Sequence, residues 1–253
     1  VKGWQIFEHS VRLVLENLRE VLQIALLPLA LACGIIFAAL LALGLPLEYF
    51  LSGRLSARPD VTARSLVLFL ALSTIAVLAF VWVAVLWHRF VLLGERAQGW
   101  FPRFPEDRIL AYVARLLLLS LLAALIAVPV IFVIVAFGLG GPFGVFSVPV
   151  LVFLVSLFLF RFFPMLPAAA IGQPLGVSDA WSATSGSMGA ILVLIAMGLV
   201  MNVALGVLFY VLDPLLPAFA MVVNVLGNLL IGLIHISMIT SYYDYFIEDH
   251  RIA

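Results

Sequence analysis

Three polar residues stand in an otherwise apolar stretch near the end of the chain: Asn224, Asn228 and His235, with Gly232 between the last two. Offsets of four and seven put them on one face of a helix. An earlier stretch sets Asn202 one turn from Gly198 and one turn from Gly206. Two chemistries fit such stripes. In the first, small residues let two helices approach and the amides hydrogen-bond across the seam, as polar side chains do inside membranes. In the second, Asn202, Asn224, Asn228 and His235 line a polar pocket or proton path, with imidazole as the group that titrates near neutrality. No carboxylate accompanies the histidine at that depth, so a relay would lack a second titrating member.

Arginine offers another chemistry. Arg161 follows a purely apolar run, and Arg89 and Arg115 flank apolar runs at a similar depth. Their simplest role is to snorkel toward water. Together they are also candidates for contact with lipid headgroup phosphates.

The elements that must position these residues follow from composition. Apolar residues make up 66% of the 253 and charged ones 10%, with mean hydropathy +1.27. A soluble domain carries about 25% charged residues, so too few are present to cover this chain in water. Net charge is zero, which leaves no field to recruit nucleic acid. Cys33 is the lone cysteine and excludes an internal disulfide. The opening residues are amphipathic rather than uniformly apolar and do not read as a cleavable signal.

About 20 apolar residues cross roughly 30 Å of hydrocarbon. On that measure spans are expected near 22–47, 65–90, 108–137, 145–166, 188–212 and 215–243. The Gly- and Pro-rich segment 138–144 breaks an uncharged run into the third and fourth. The runs lack alternation and are too long for spanning strands. Residues 1–21 predict an amphipathic interfacial helix. Trp4, Phe7, Val11, Leu15, Leu18 and Leu22 form its apolar face, and Gln5, Glu8, Arg12, Glu16 and Arg19 its polar one. A short interfacial helix is expected before the fifth span, with Ser178 as N-cap, Asp179 in its first turn and Gly186 at its end. Glu106 and Asp107 after Pro105 mark the start of the helix that becomes the third span. The expected fold is all-α: one polytopic membrane domain over residues 1–253 with six transmembrane helices.

Ten of the thirteen Lys and Arg residues fall on the side of the N-terminus; Arg54, Arg58 and Arg64 face the other way. Positive residues favour the cytoplasm, so both termini are expected there. No Gly-x-Ser-x-Gly, His-Glu-x-x-His or phosphate-binding glycine loop occurs. His9, His88, His235 and His250 are scattered and give no metal-ligand spacing. Neither catalysis nor a cofactor is expected.

The segment Arg161–Gly186 reads RFFPMLPAAAIGQPLGVSDAWSATSG. Its arginine, Leu-Pro-Ala-Ala and Ser-x-Ala-Trp-x-x-Thr-x-Gly, with the opening FEHSVRLVLENL and a tyrosine-rich last helix, form a pattern. It resembles the uncharacterised bacterial six-helix proteins of the YciC-like group, which includes the membrane domain attached to some glycerophosphodiester phosphodiesterases. The resemblance implies a six-helix fold in the bacterial inner membrane. It supplies no activity, because no phosphodiesterase domain lies within these residues and no catalytic residues map onto them. The function expected is that of a non-enzymatic accessory or scaffold protein. Its partners would be membrane lipids, other membrane proteins or a second copy, and no nucleic acid. The alternative is a small-molecule or lipid permease using the polar pocket between spans five and six.

Overall fold

The computed structural model describes residues 2–43, 62–97, 99–136, 144–173 and 175–248. Nine α-helices and no strand occur among them: α1 Lys2–Glu16, α2 Leu18–Ala42, α3 Ala63–Leu93, α4 Glu106–Ala136, α5 Gly144–Phe160, α6 Met165–Ile171, α7 Val177–Ala183, α8 Met188–Leu212 and α9 Pro217–Phe246. Five helices are long and apolar enough to cross a membrane: Leu18–Leu41, Ala63–Leu93, Glu106–Val133, Met188–Leu212 and Pro217–Phe246. The expected span over 145–166 takes the form of a bent pair. Val148–Phe160 and Met165–Ile171 meet at 44° and would make a sixth crossing if taken as one. The expected loop at 48–64, with Arg54 and Arg58, lies largely outside the described residues, as do residues 138–143 of the break, His250 and Arg251.

Local chemistry sets several boundaries. Thr62 caps α3 by accepting from the Ser65 backbone N–H at 3.1 Å. Gly94 ends the same helix in the left-handed region, φ 68°, where glycine carries no Cβ penalty. Pro105 accepts from the backbone N–H of Arg108 and Ile109 as α4 begins, with Glu106 and Asp107 favourable in its first turn. The N-cap of α7 is Gly176, not Ser178. Asp179 occupies the third helical position and accepts from the Gly176 backbone N–H at 3.2 Å. The acid reaching back fixes the start two residues earlier than the hydroxyl suggested.

The helices run back and forth between two ends, here called proximal (holding α1, α6, α7 and the last turns of α9) and distal. Most of the core is proximal. One cluster joins Ile6 and Val14 of α1 to Ile24, Trp87, Phe160, Ile191, Leu194, Met238 and Tyr242. A second joins Val85, Tyr112, Phe162 and Met165. Toward the distal end the buried contact is small: Ala32 of α2 against Ala76 and Ala79 of α3.

Helix α1 forms where expected, but a different face is packed. Gly3, Ile6, Ser10 and Val14 are buried, whereas Trp4, Leu15, Leu18 and Leu22 are about half exposed. The reason is steric. A Cβ on Gly3 would lie 2.8 Å from the Ala190 carbonyl oxygen, so only a small residue there lets α1 lie against α8. The larger apolar side chains line the outer rim.

Candidate functional site

The polar side chains that join different helices do so at the proximal end, in three groups. The first centres on His88 of α3, which is fully buried with Thr240 of α9 and with Tyr112 of α4 almost so. Thr240 donates its hydroxyl proton to the Ile236 carbonyl at 2.8 Å, so toward His88 it can only accept. His88 Nδ1, 2.8 Å away, therefore carries the proton. Nε2 is left to accept from the Tyr112 hydroxyl at 3.3 Å. Both ring nitrogens are used, and the ring stacks on Tyr112 at 5.7 Å. One histidine ties three helices together.

The second group is built by the segment Arg161–Ser187. The Arg161 guanidinium lies 3.4 Å from the Trp181 ring centroid, a cation–π geometry. It donates to the Trp181 carbonyl and, through Nε, to Thr184 Oγ1 at 3.2 Å. Thr184 donates to the Ala180 carbonyl at 2.7 Å, Ser187 to the Thr184 carbonyl at 2.7 Å, and Tyr242 to Ser187 Oγ at 2.7 Å. Trp181 stacks on Phe162 with rings 24° apart. The arginine, tryptophan and threonine of the sequence pattern are thus one contact set that fastens α7 over the α5–α6 bend and links it to α9.

The third group surrounds α6, whose residues Met165–Ala170 are all buried. Arg89 donates to the Ala170 carbonyl at 3.0 Å and binds Glu95 through two bonds of 2.9 and 2.6 Å. Gly172 closes α6 at φ 84°, and the Arg108 guanidinium occupies the space a Cβ would need. Two arginines therefore stand at the negative end of α6, where cations are favoured. On α1, Ser10 donates to the Ile6 carbonyl at 2.6 Å and meets Ser241 Oγ of α9 at 3.1 Å. Burial lowers the pKa of His9 on the same helix; Asp244 opposes the shift, Arg12 adds to it and Glu16 opposes it.

The sequence candidates fall differently. Asn202 is exposed and donates to the Gly198 carbonyl of its own helix at 2.8 Å. Asn228 is exposed and donates to the backbone oxygen and Oδ1 of Asn224, both at 2.8 Å. Asn224 and His235 are half-buried. The expected bonding of amides across the α8–α9 seam is replaced by bonding along each helix. What the seam does use is the small residues: His235 covers Gly198, and Leu205 of α8 covers Gly227 of α9. The three described cavities are not lined by Asn202, Asn224, Asn228 or His235. Of the three candidate arginines, Arg89 and Arg161 are engaged as described. Arg115, half-buried, has no hydrogen bond or ion pair among the described residues.

His88 and its partners were visible as polar residues at the end of apolar runs, the signal that singled out His235. Their convergence was not, because it depends on three helices separated by 24 and 152 residues along the chain. Among the described residues no three His, Cys, Asp or Glu side chains come together to hold a metal ion.

Among the described residues, fold and site together define an all-helical bundle of apolar helices long enough to cross a membrane, fastened at one end by buried hydrogen bonds. No protein-family model, curated protein or solved structure matches the chain.

Proposed function

We propose that this chain crosses the bacterial inner membrane six times, with both termini in the cytoplasm, and serves as a non-enzymatic accessory or scaffold protein of the YciC-like layout. It acts by binding lipids or membrane partners. The observation that carries this reading is the consumption of polar groups at the proximal end. His88 is engaged with Thr240 and Tyr112, and Arg161, Thr184, Ser187 and Tyr242 with one another and with backbone carbonyls, an arrangement that builds a rigid platform. The bent α5–α6 pair supplies the sixth crossing. The arginine excess near the proximal end supports a cytoplasmic placement. Helices α1 and α7 lie along that boundary. Trp4, Leu15 and Trp181 are exposed, as is the ion pair of Arg12 with Glu8 at 3.0 Å, which suits the zone between acyl chains and water.

A permease working through Asn202, Asn228 and His235 draws no support from amides that turn back onto their own helices and a histidine packed over Gly198. Purification from native membranes followed by mass spectrometry tests the accessory reading. It should recover a reproducible lipid or protein companion. Recovery of the bare chain, with counterflow of a solute in vesicles that is lost on His235→Ala, would replace it with transport.

A further inference from the structure

We infer that the cleft between the end of α3 and the loop leading to α4 binds the phosphate of an anionic phospholipid. The inference rests on the lipid-binding form of the reading above and names the site and the chemical class of its ligand.

The cleft has a volume of about 280 Å³ and is lined by Ile24, Leu86, Arg89, Glu95, Arg96, Ala97, Pro102 and Arg103. Three of these are guanidinium groups and one is a carboxylate. Glu95 gives both its oxygens to Arg89, which spends the acid of the lining on one arginine. Arg96 is exposed and has no hydrogen bond or ion pair among the described residues. Its five N–H donors present an open site for a phosphate group.

The walls are held in place before any ligand arrives. On one side the left-handed turn at Gly94 and the Arg89–Glu95 pair fix the chain leaving α3. On the other, Trp82 donates to the Arg103 carbonyl at 2.8 Å and packs edge-on against Phe104, and Pro102 is buried. A preformed site loses less in ordering when it binds.

Polarity along the cleft separates a lipid from a soluble anion. Arg96 and Arg103 stand in the connecting loop, while Ile24 and Leu86 come from within the apolar helices α2 and α3. A ligand charged at one end and apolar at the next carbons matches both. Pockets for whole drug-sized ligands run to about 300–1,000 Å³, so this one suits a headgroup with its first carbons and leaves the acyl chains in the bilayer. The neighbouring cleft, about 410 Å³, serves as an internal comparison. Arg89 and Arg108 there face Glu106 and Asp107, two charges of each sign, and it has no comparable surplus for an anion.

The test uses the full chain in nanodiscs of phosphatidylcholine alone or mixed with phosphatidylglycerol, read by native mass spectrometry of retained lipid. Phosphatidylglycerol should be retained over phosphatidylcholine. With a basic residue near the surface contributing as it does to anionic membranes, Arg96→Gln should cut that preference about fivefold. Arg12→Gln, a charge removed elsewhere at the proximal end, should leave it intact. An unchanged preference in Arg96→Gln overturns the site while leaving lipid binding standing. A wild-type chain that retains no lipid and no protein companion overturns the site and the accessory reading together. Inorganic phosphate that displaces phosphatidylglycerol at equal concentration overturns the lipid in favour of a soluble anion.

Discussion

The two ends of this bundle are held by different means. At the proximal end the fully buried side chains include Trp87, Tyr242, Tyr243, Met165 and His88, and the buried polar groups Ser10, Thr184, Ser187, Thr240 and Ser241 sit among them. Toward the distal end the buried residues are mostly alanines: Ala32, Ala39, Ala76, Ala79 and Ala220. Leu125, Phe132 and Val135 of α4 are each about 70% exposed there. The contrast has a physical source in the proposed membrane setting. Lipid tails are as apolar as leucine, so burying a leucine there gains little, and helices pair through small residues and van der Waals contact. Near the headgroups water is at hand, so both apolar burial and hydrogen-bond exchange regain their usual worth. Cohesion is therefore concentrated where the chain meets water.

Four outcomes sharpen or break that comparison. The largest concerns His88. His88→Ala opens a cavity and strips partners from Tyr112 and Thr240, which should cost about 3–5 kcal/mol in a denaturant titration in mixed micelles. A loss as small as that of a distal substitution would end the contrast between the ends.

The next compares two helical glycines. Gly3→Leu drives a side chain into Ala190 and Val193 and should cost about 1–3 kcal/mol, with α1 becoming sensitive to protease. Gly34→Leu, at a distal site with nothing within 4 Å of its would-be Cβ, should be tolerated. Equal effects would mean that α1 is not docked through Gly3.

A smaller effect is set by pH. His9 is held below its ordinary pKa of 6.5, chiefly by burial. The unfolded or undocked segment then binds more protons as pH falls. The contribution of His9 to α1 docking should be complete above pH 6.5 and decline as pH drops through and below that value. His9→Gln should flatten the dependence; a docking strength that rises on acidification would reverse the sign.

The smallest belongs to Asn228. Cross-helix amide bonds in membranes average about 0.6 kcal/mol, and here the amide bonds within its own helix. Asn228→Leu should change stability by less than that. A loss of several kcal/mol would restore the expectation of an amide bridge between α8 and α9.

Much of the fold was legible because apolar runs of this length have few alternatives. The helix over 188–212 coincides with its expected bounds, and the others shift by a few residues where caps and glycines decide. The bend after Phe160 was not legible, since it rests on α6 being buried as a separate short helix among α3, α4 and α9. The face through which α1 docks was not legible for a related reason. Periodicity finds the large apolar side chains, yet close helix contact selected the face with Gly3 and Ser10. The pattern from Arg161 to Gly186 coincides with a local contact set, because its arginine, tryptophan and threonine bond to one another. His88 was passed over, since its partners lie far along the chain.

The central claim is a membrane-crossing bundle whose proximal platform faces the cytoplasm. Cysteine labelling tests it most directly. In a Cys33→Ala background, Ser185→Cys places a thiol at an exposed position after α7, and Ala63→Cys places one at the exposed distal start of α3. A membrane-impermeant maleimide should reach the position-63 thiol in intact cells and the position-185 thiol only after lysis. Labelling of both from the same side would contradict the crossing, and the reverse order would contradict the orientation.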